Sequence, residues 1–229
     1  FVDTVKCMEN IWPPFAVTIR ASDDTGRGVD LRVMRDEDIA CVAQVRATDI
    51  YGANLPEHAF PWLFDEKRNT PAAMAQHRWE HRAQLRANNW TLDFIARDAE
   101  TQELVGVVDL AAENFAAARE VQTASWVLHR FQGQGYGTLI RQAVAEFSFS
   151  HLDAHSLRTC WVETNRASAR VSEKMGYRIY TEEKEEPAGP EKINRPVVSA
   201  RLSTADYHRP DGLQLEVTGV GDQLLRMLS

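Results

Sequence analysis

Three closely spaced glycines mark the segment whose composition points most directly to chemistry. Gly133, Gly135 and Gly137 lie between residues expected to form a strand and residues expected to form a helix. Because glycine has no β-carbon, backbone N–H groups there can approach a ligand closely. The N-terminus of the following helix adds unpaired N–H donors and a partial positive charge. The segment therefore predicts an anion site suited to a phosphate or a pyrophosphate.

Several phosphate-binding loops share this glycine pattern. A Walker loop needs Lys-Ser or Lys-Thr after its last glycine, and the chain has neither there. A dinucleotide loop (G-x-G-x-x-G) would have its third glycine where Thr138 stands, and Asp153 precedes the next strand instead of ending it. Two interpretations remain. One is a pyrophosphate loop of the type Q/R-x-x-G-x-G/A, matched by Gln132, Gly135 and Gly137, and the other is a tight strand-to-helix turn.

A second pattern, His77-x-x-Glu80-His81, matches the H-x-x-E-H arrangement of some zinc proteases, in which two histidines on one helix face bind the metal. The surrounding segment is highly charged, and no downstream glutamate on a recognisable companion helix provides a third ligand. We interpret the segment as a polar helix face with Trp79 turned inward, and we predict no metal site.

The elements around these motifs predict a mixed α/β fold with one mostly antiparallel sheet. Strands are predicted at 15–20, 29–34, 90–97, 104–110, 121–128, 156–164, 177–183, 197–203 and 213–217. Helices are predicted after an N-cap at Asp36, over 71–88, after Gly137, and over 165–175, where Gly176 provides a C-cap. The three consecutive strands between 90 and 128 predict an antiparallel meander. Loops are predicted at 52–71, 111–118 and 184–195, where Pro, Gly or charged residues interrupt the periodicity.

Composition limits the classes of partner. The 229 residues are 44% hydrophobic and 26% charged, which excludes a mainly disordered or fibrous chain. No run approaches ~18 consecutive apolar residues, so we expect no membrane span, and the first residues lack the features of a signal peptide. The net charge of −7 argues against direct nucleic-acid binding. Three separated cysteines (Cys7, Cys41 and Cys160) without a CxxC pair predict a reducing, cytoplasmic environment.

Four motifs lie in order along residues 29–203: L-R-x-x-R-x-x-D at 31–38, G-x-x-x-L at 106–110, W-x-x-x-x-x-x-G-x-G-Y-G-T at 126–138 and N-x-x-S-x-R-V-x-E-K-x-G-Y at 165–177. With them the chain resembles the GCN5-related N-acetyltransferase (GNAT) superfamily, and within it the RimJ/RimL-like branch that acetylates ribosomal-protein N-termini. We therefore expect an acyltransferase domain over 29–206. Residues 1–28 would form an N-terminal extension with one strand of a hairpin, and 207–229 a C-terminal extension.

The resemblance implies a splayed sheet flanked by helices, with acetyl-CoA or another acyl-CoA in the cleft between the strand before the glycine loop and the strand after it. Loop amides would hold the pyrophosphate, the strand end would pair with the pantetheine arm, and the start of the second motif helix would contact that arm and the phosphates. The implied cofactor-binding residues are Val127, His129, Gln132, Gly133, Gln134, Gly135, Gly137, Thr138, Asn165, Ser168 and Arg170. For Ser168, a solvent-facing helix position is the alternative.

The reaction implied is attack of a neutral amine on the thioester. A backbone N–H at Val127 or Leu128 is the expected oxyanion donor. Glu120 is the first candidate for the base, with Glu113 and Glu163 as rivals. Many family members have a general-acid tyrosine where this chain has Ser172, so thiolate protonation would come from Ser172 through water or from no side chain at all.

The acceptor is the least defined part of the site. His58, Phe60, Trp62 and Phe64 lie in the 52–71 loop, where family members close over the acceptor, and they are expected to line its pocket or to form a satellite core. The acceptor would be a small-molecule amine or a protein N-terminus. A non-catalytic acyl-CoA-binding module and transfer of a larger acyl group such as succinyl are alternatives, as is an interaction protein that depends on its extensions. A homodimer is left open.

Overall fold

The computed structural model describes residues 8–180 and 184–229. Its helices are α1 Met8–Ile11, α2 Asp36–Val42, α3 Ala47–Tyr51, α4 Pro71–Gln84, α5 Phe115–Ala118, α6 Tyr136–His151, α7 Arg166–Met175 and α8 Asp222–Leu228. Its strands are β1 Thr18–Ser22, β2 Gly28–Val33, β3 Trp90–Asp98, β4 Leu104–Ala112, β5 Glu120–Val127, β6 Ser156–Val162, β7 Arg178–Tyr180, β8 Glu185–Ala188, β9 Ile193–Ser203 and β10 Gln214–Thr218. Short 3₁₀ turns cover Pro13–Ala16, Pro61–Phe64 and His129–Phe131.

The strands form one mixed, mostly antiparallel sheet, as the sequence predicted. Their order is β10-β1-β2-β3-β4-β5-β6-β9-β7, and β8 pairs with β9. The meander β3-β4-β5 is confirmed, with antiparallel pairing at both of its interfaces. Pairing between β5 and β6 is parallel, which the intervening helix α6 makes possible.

Helices cover both faces of the sheet, and two adjacent residues of β3 show this. The Phe94 ring packs edge-on against Phe147 of α6, with centroids 5.8 Å apart. Ile95 points to the opposite face, into a cluster of residues from α2, α4 and β4. Successive side chains of a strand alternate between faces, so α6 lies on one face and α2 with α4 on the other.

Helix ends follow local capping chemistry. The Thr70 hydroxyl accepts a hydrogen bond from the Ala73 N–H at 3.1 Å, and Pro71 occupies the first turn of α4, as expected. The prediction that Asp36 caps α2 was wrong. Arg35 is the N-cap, and its N–H donates to the Asp38 carboxylate at 3.0 Å. The acidic side chain that satisfies this helix start therefore lies inside the first turn.

The prediction of a loop over 184–195 was wrong. Strand β8 and the start of β9 form an antiparallel hairpin there, in register from Glu185 opposite Pro196 to Ala188 opposite Ile193. Gly189, at φ 72°, supplies one left-handed turn conformation. Charged residues and prolines fit this hairpin because β8 is short, and β8 and the first residues of β9 are mostly exposed.

Other boundaries differ by a few residues. The segment predicted as a strand over 15–20 begins with a 3₁₀ turn, because Pro13 and Pro14 start a tight coil before β1. The predicted loop over 111–118 contains α5, and α4 ends at Gln84 instead of residue 88. Of the strand predicted over 177–183, only β7 is seen, and 181–183 lie outside the described residues. Within 8–180 and 184–229, every helix is too short or too polar to span a membrane.

Candidate functional site

The glycine loop joins the end of β5 to the start of α6. Gly133 and Gly135 adopt φ values of 71° and 92°, and Gly135 is the residue that precedes the first turn of α6. A β-carbon built on Gly133 would have no atom of the described residues within 4 Å. The first four N–H groups of an α-helix have no partner within the helix. The loop and helix start thus present the donors that an anion needs.

Gln132 anchors this loop. Its Nε2 donates to the carbonyl oxygens of Ile50 at 2.6 Å and Val127 at 2.8 Å. The side chain therefore ties the loop to the end of β5 and to α3. Next to it, the His129 ring lies against Gly52, where a β-carbon would stand 3.0 Å from Nε2.

Two further loop positions have ordinary environments. Gly137 lies where β5, α6 and α7 meet, and a β-carbon there would be 3.8 Å from Val127 and 4.0 Å from Val171. Thr138 is half-buried in the first turn of α6, and Gln134 is exposed with its side chain donating to the Arg130 carbonyl at 2.6 Å.

Arg27 is a neighbour of the loop that sequence reasoning missed. It lies in the turn between β1 and β2, forms an ion pair with Asp23, and places its guanidinium 5.7 Å from the Tyr136 ring centroid. A β-carbon on Gly135 would stand 2.5 Å from Arg27 Nη1. More than 100 residues separate Arg27 from the loop, so no local pattern could have identified the contact.

The sheet forks between β5 and β6. Their parallel pairing covers only Glu120–Gln122 against Ser156–Arg158. At the point of the fork the Thr159 hydroxyl donates to the Thr123 carbonyl at 3.2 Å, and both threonines are buried. Beyond this point the strands part toward their carboxyl ends. The glycine loop follows one of these ends and Asn165 follows the other, so the two motifs meet at the open end of the fork.

Asn165 starts helix α7 at this open end. Its Oδ1 accepts a hydrogen bond from the Ser168 N–H at 3.1 Å, so its side-chain oxygen serves as an N-cap. Ser168 is half-buried and Arg170 is exposed. One turn farther along α7, Ser172 is 2% exposed, and its hydroxyl has no hydrogen-bond partner among residues 8–180 and 184–229.

The backbone of β5 distinguishes the two oxyanion candidates. The Leu128 N–H donates to the Val105 carbonyl at 2.8 Å and is therefore occupied. N–H groups alternate in direction along a strand, so the N–H of Val127 points away from β4 and toward the fork. Of the two donors considered, only Val127 is directed at the cleft.

Glu120 lies at the closed end of the fork. Its carboxylate accepts hydrogen bonds from Arg201 Nε at 2.6 Å and from the Ser156 hydroxyl at 3.1 Å, and Arg158 Nε is 3.7 Å away. Seven residues of extended strand, roughly 23 Å, separate it from Val127. The structure does not bring Glu120 together with the glycine loop.

The predicted acceptor residues form an aromatic cluster beside the end of β5. Phe60 and Trp62 stack with centroids 6.3 Å apart, and His58 lies 5.9 Å edge-on from Tyr51. Burial lowers the pKa of His58. These rings, with Phe64, are all half-buried, and all except His58 pack against a small core that contains Leu63 and Leu128. Tyr51, which the sequence did not single out, accepts a hydrogen bond from the Phe60 N–H at 3.1 Å.

The β8–β9 hairpin contacts the 52–71 segment that carries this aromatic cluster, which we call the aromatic loop. The Gly189 N–H donates to the Ala59 carbonyl at 2.8 Å, Lys192 pairs with Asp65 at 3.0 Å, and Arg195 pairs with Glu57 at 2.8 Å. Because β9 lies beyond β6 and the aromatic loop packs on β5, these contacts connect the two sides of the fork.

A cluster of ionisable side chains lies under α4. Arg78 forms ion pairs with Asp93 and, at 3.1 Å, with Asp109, while His81 Nδ1 is 2.9 Å from Asp93. Asp93 and Asp109 face each other across β3 and β4. The His77 ring is 4.2 Å from that of His81. Among the described residues, no group of three or more His, Cys, Asp or Glu side chains has the arrangement of a metal site.

The pKa values of the two aspartates in this cluster are shifted in opposite directions. Burial works against ionisation of Asp93, but the His81 hydrogen bond and the Arg78 charge outweigh it and lower its pKa. Burial likewise opposes protonation of His81, yet Asp93 raises its pKa. For Asp109, burial and the neighbouring Asp93 raise the pKa to about 7 against the effect of Arg78. Two carboxylates this close resist being ionised together.

The prediction for Trp79, in the same helix, was wrong. Its side chain is 50% exposed instead of turned inward, and its indole N–H donates to Asp36 at 3.1 Å. The buried residues of α4 are Met74 and Arg78. The Arg78 guanidinium faces the sheet because Asp93 and Asp109 pair with it there.

Residues 29–178 match the family described as acetyltransferase (GNAT) domain. Solved structures share the fold at low sequence identity. RimJ of Mycobacterium smegmatis, solved with CoA-disulfide, superposes with a TM-score of 0.65 at 19% identity, over 85% of this chain and 89% of that chain. A spermidine N-acetyltransferase from Vibrio cholerae, with CoA and spermine, gives 0.61 at 15% identity over 78% and 97%. A ribosomal-protein-S5-alanine acetyltransferase from Vibrio fischeri gives 0.62 at 13% identity over 79% and 95%.

Proposed function

The chain belongs to the GNAT acetyltransferase family, and from that premise we propose that it transfers an acetyl group from acetyl-CoA to a primary amine in a ternary complex. The observation that carries the proposal is the meeting of two motifs at the open end of the fork. The glycine loop at the start of α6 offers an anion site there, and Asn165 begins α7 directly across from it.

The cofactor would lie along the fork. The N–H groups of residues 133–138 would hold the pyrophosphate, with Gln132 fixing the loop against β5. The pantetheine arm would pair with the exposed edge of β5 near Val127 and His129, as an added strand does. Asn165 would contact that arm through its amide nitrogen, because its oxygen caps α7. Ser168 and Arg170 would contact the phosphate end.

The chemistry requires a neutral amine. An ammonium gives up one proton, its nitrogen attacks the thioester carbon, and a C–N bond forms while the carbonyl oxygen becomes negative. The Val127 N–H is the donor that would stabilise this oxyanion. The C–S bond then breaks, its electron pair stays on sulfur as a thiolate, and the second amine proton passes to that thiolate. Net, an ammonium and acetyl-CoA yield an amide, CoA thiol and one proton.

Ser172 would serve the departing sulfur. Its hydroxyl is buried and lacks a partner within the described part of the chain, so it is available to a thiolate or to a water beside it. CoA thiol is a moderate leaving group whose pKa is close to that of cysteine, ~8.5. A strong general acid is therefore not required at neutral pH.

The acceptor would bind between the aromatic loop and the β8–β9 hairpin. Half-buried rings such as Phe60 and Trp62 offer an apolar and cation-binding wall, and the chain's net charge of −7 favours a cationic partner. The acceptors named for the similar structures, spermidine and a ribosomal-protein alanine, are both amines. We propose a protein N-terminus or a small polyamine as acceptor, in the cytoplasm.

Release of CoA thiol tests this function. Purified protein with acetyl-CoA is offered spermidine, peptides with N-terminal Ala or Ser, and an N-acetylated peptide as the control without a free amine. We expect thiol release with at least one free amine and none with the blocked peptide. Succinyl-CoA in place of acetyl-CoA tests the acyl group. Absence of release with every amine and both donors would contradict the proposal.

A further inference from the structure

We propose that Asp109 is the proton acceptor for the amine, within the cluster that also holds Asp93, Arg78 and His81. The inference rests on the proposed function, because it assigns a role in that same reaction. It departs from the expectation that Glu120 is the base.

The position of Asp109 in the sheet supports this role. Asp109 lies on β4 directly opposite Ala124 of β5, the strand that borders the fork. Neighbouring strands are ~4.8 Å apart and paired side chains share a face. Val107, two residues before Asp109, and Trp126, two residues after Ala124, belong to the apolar cluster that also holds residues of α2 and α4. Asp109 and Ala124 therefore face the same side, on which the acceptor would approach.

The Asp109 side chain is partly exposed beside β5. Ala124 is exposed and carries only a methyl group, and the Asp109 side chain is itself 28% exposed. Val127 lies three residues farther along β5, ~10 Å away. One or two water molecules would complete the path between an amine held near Val127 and the Asp109 carboxylate, as in general-base catalysis through water.

The surroundings of Asp109 suit a base that works near neutral pH. From α4 it is faced by Arg78 and His81, and from β3 by Asp93. On the β5 side, Ala124 and Gln122 carry no charge. Burial and the negative charge of Asp93 raise the pKa of Asp109, and together they outweigh its 3.1 Å ion pair with Arg78. A carboxylate held this way accepts a proton that an ordinary aspartate would not retain.

The rival carboxylates are distant from Val127 or exposed to solvent. Glu120 is paired with two arginines in the closed part of the fork, roughly 23 Å from Val127 along β5. Glu113 follows the end of β4 on that same closed side and is exposed. Glu163 is exposed after the end of β6.

The ammonium transfers its proton through water to the ionised Asp109, which becomes a neutral carboxyl, and the free amine attacks the thioester. After the acetyl group has moved, Asp109 returns its proton to solvent. No oxidant, metal or further reactant is involved.

The test compares Asp109→Asn with Asp109→Glu and with a matched control, Asp30→Asn. Asp30 lies on β2 as another arginine-paired carboxylate outside the fork. The rate is measured from pH 6 to pH 10 with the best amine of the panel, and acetyl-CoA affinity is measured by calorimetry. We expect Asp109→Asn to lose at least ~100-fold in kcat at neutral pH, with unchanged acetyl-CoA affinity. Its rate should recover as pH approaches the pKa of the amine.

Asp109→Glu should restore part of the activity, and Asp30→Asn should match the wild type. Three results would overturn the inference: an Asp109→Asn rate equal to the wild type, a loss of the same size at every pH, or a pH-reversible loss in Glu120→Gln alone. A wild-type protein that acetylates no amine would instead refute the proposed function, and the inference with it.

Discussion

The guanidinium of Arg27 lies against Gly135, so close that a β-carbon on the glycine would stand 2.5 Å from Nη1. Two elements far apart in the chain, the β1–β2 turn and the glycine loop, thus share one surface. Gly135 is constrained twice, by this neighbour and by its φ of 92°. Both constraints restrict the backbone of the loop that would form the anion site.

We expect Gly135→Val to abolish acetyl-CoA binding while the fold persists. A valine at this φ costs of order 1–3 kcal/mol in backbone strain and must displace the flexible Arg27 side chain, so the loop should move and lose its alignment of N–H groups. Calorimetry measures affinity and circular dichroism the fold. Gly221→Val is the control, since Gly221 has φ −117° and no atom within 4 Å of its would-be β-carbon. Wild-type affinity in Gly135→Val would contradict the assignment.

Gly106→Ala should destabilise the protein by at least ~2 kcal/mol, within the range for overpacked sites. A β-carbon there would overlap the carbonyl oxygen of Trp126, an atom of the neighbouring strand backbone that cannot swing aside. Urea unfolding measures the loss, with Gly221→Ala as the reference for removing a glycine from an open position. Equal midpoints for the two variants would show that β4 and β5 adjust freely.

Ser172→Ala should lower kcat by well under ~100-fold, the low end for general acid–base catalysis. The thiolate is stable enough to leave with little help, and the hydroxyl forms no hydrogen bond to any residue that the structure describes. Steady-state kinetics across pH check this. A larger loss that shrinks at low pH would make Ser172 the essential acid.

Asp109→Asn should change stability in a pH-dependent way. The folded protein raises the pKa of Asp109 to about 7, so the folded state holds a proton that the unfolded chain releases near pH 4. The wild type therefore loses stability as pH rises from about 4 to 7. The variant, always neutral, should show little gain in Tm at pH 4 and its largest gain at pH 8. A gain independent of pH would mean that Asp109 titrates normally.

His77 and His81 should not bind zinc tightly. His81 Nδ1 already contacts Asp93 at 2.9 Å, and the neighbouring positive charge of Arg78 repels a second cation. After dialysis against zinc and then buffer, metal analysis should find far less than one zinc per chain. A full equivalent of zinc that disappears in His81→Ala would refute this prediction.

Sequence patterns predicted the elements that depend on residues close together in the chain. Glycine spacing located the loop before α6, and Gly176 ends α7 with a φ of 85°. The β8–β9 hairpin was hidden because Pro187 and Pro196 normally argue against strands, yet a short exposed hairpin tolerates them.

The candidate base could not be found from the sequence. The environment of Asp109 depends on Arg78, 31 positions earlier, and on Asp93, 16 positions earlier. The packing of α4 and the register between β3 and β4 bring these two residues to it. Glu120 looked suitable because it is on β5, but the arginines that neutralise it come from β6 and β9. Charge partners across strands have no signature in a single sequence.

The pairing of β1 with β10 has a consequence for how the chain folds. Thr18 and Thr218 share a hydrogen bond of 2.7 Å across 200 positions of sequence. Contacts of such high contact order form slowly, because a long loop must close before they contribute. During synthesis, β1 therefore remains an unpaired edge strand until residue 218 has left the ribosome. An unpaired edge strand can form a sheet with other chains. Early truncation before β10 should thus promote aggregation of an otherwise assembled sheet.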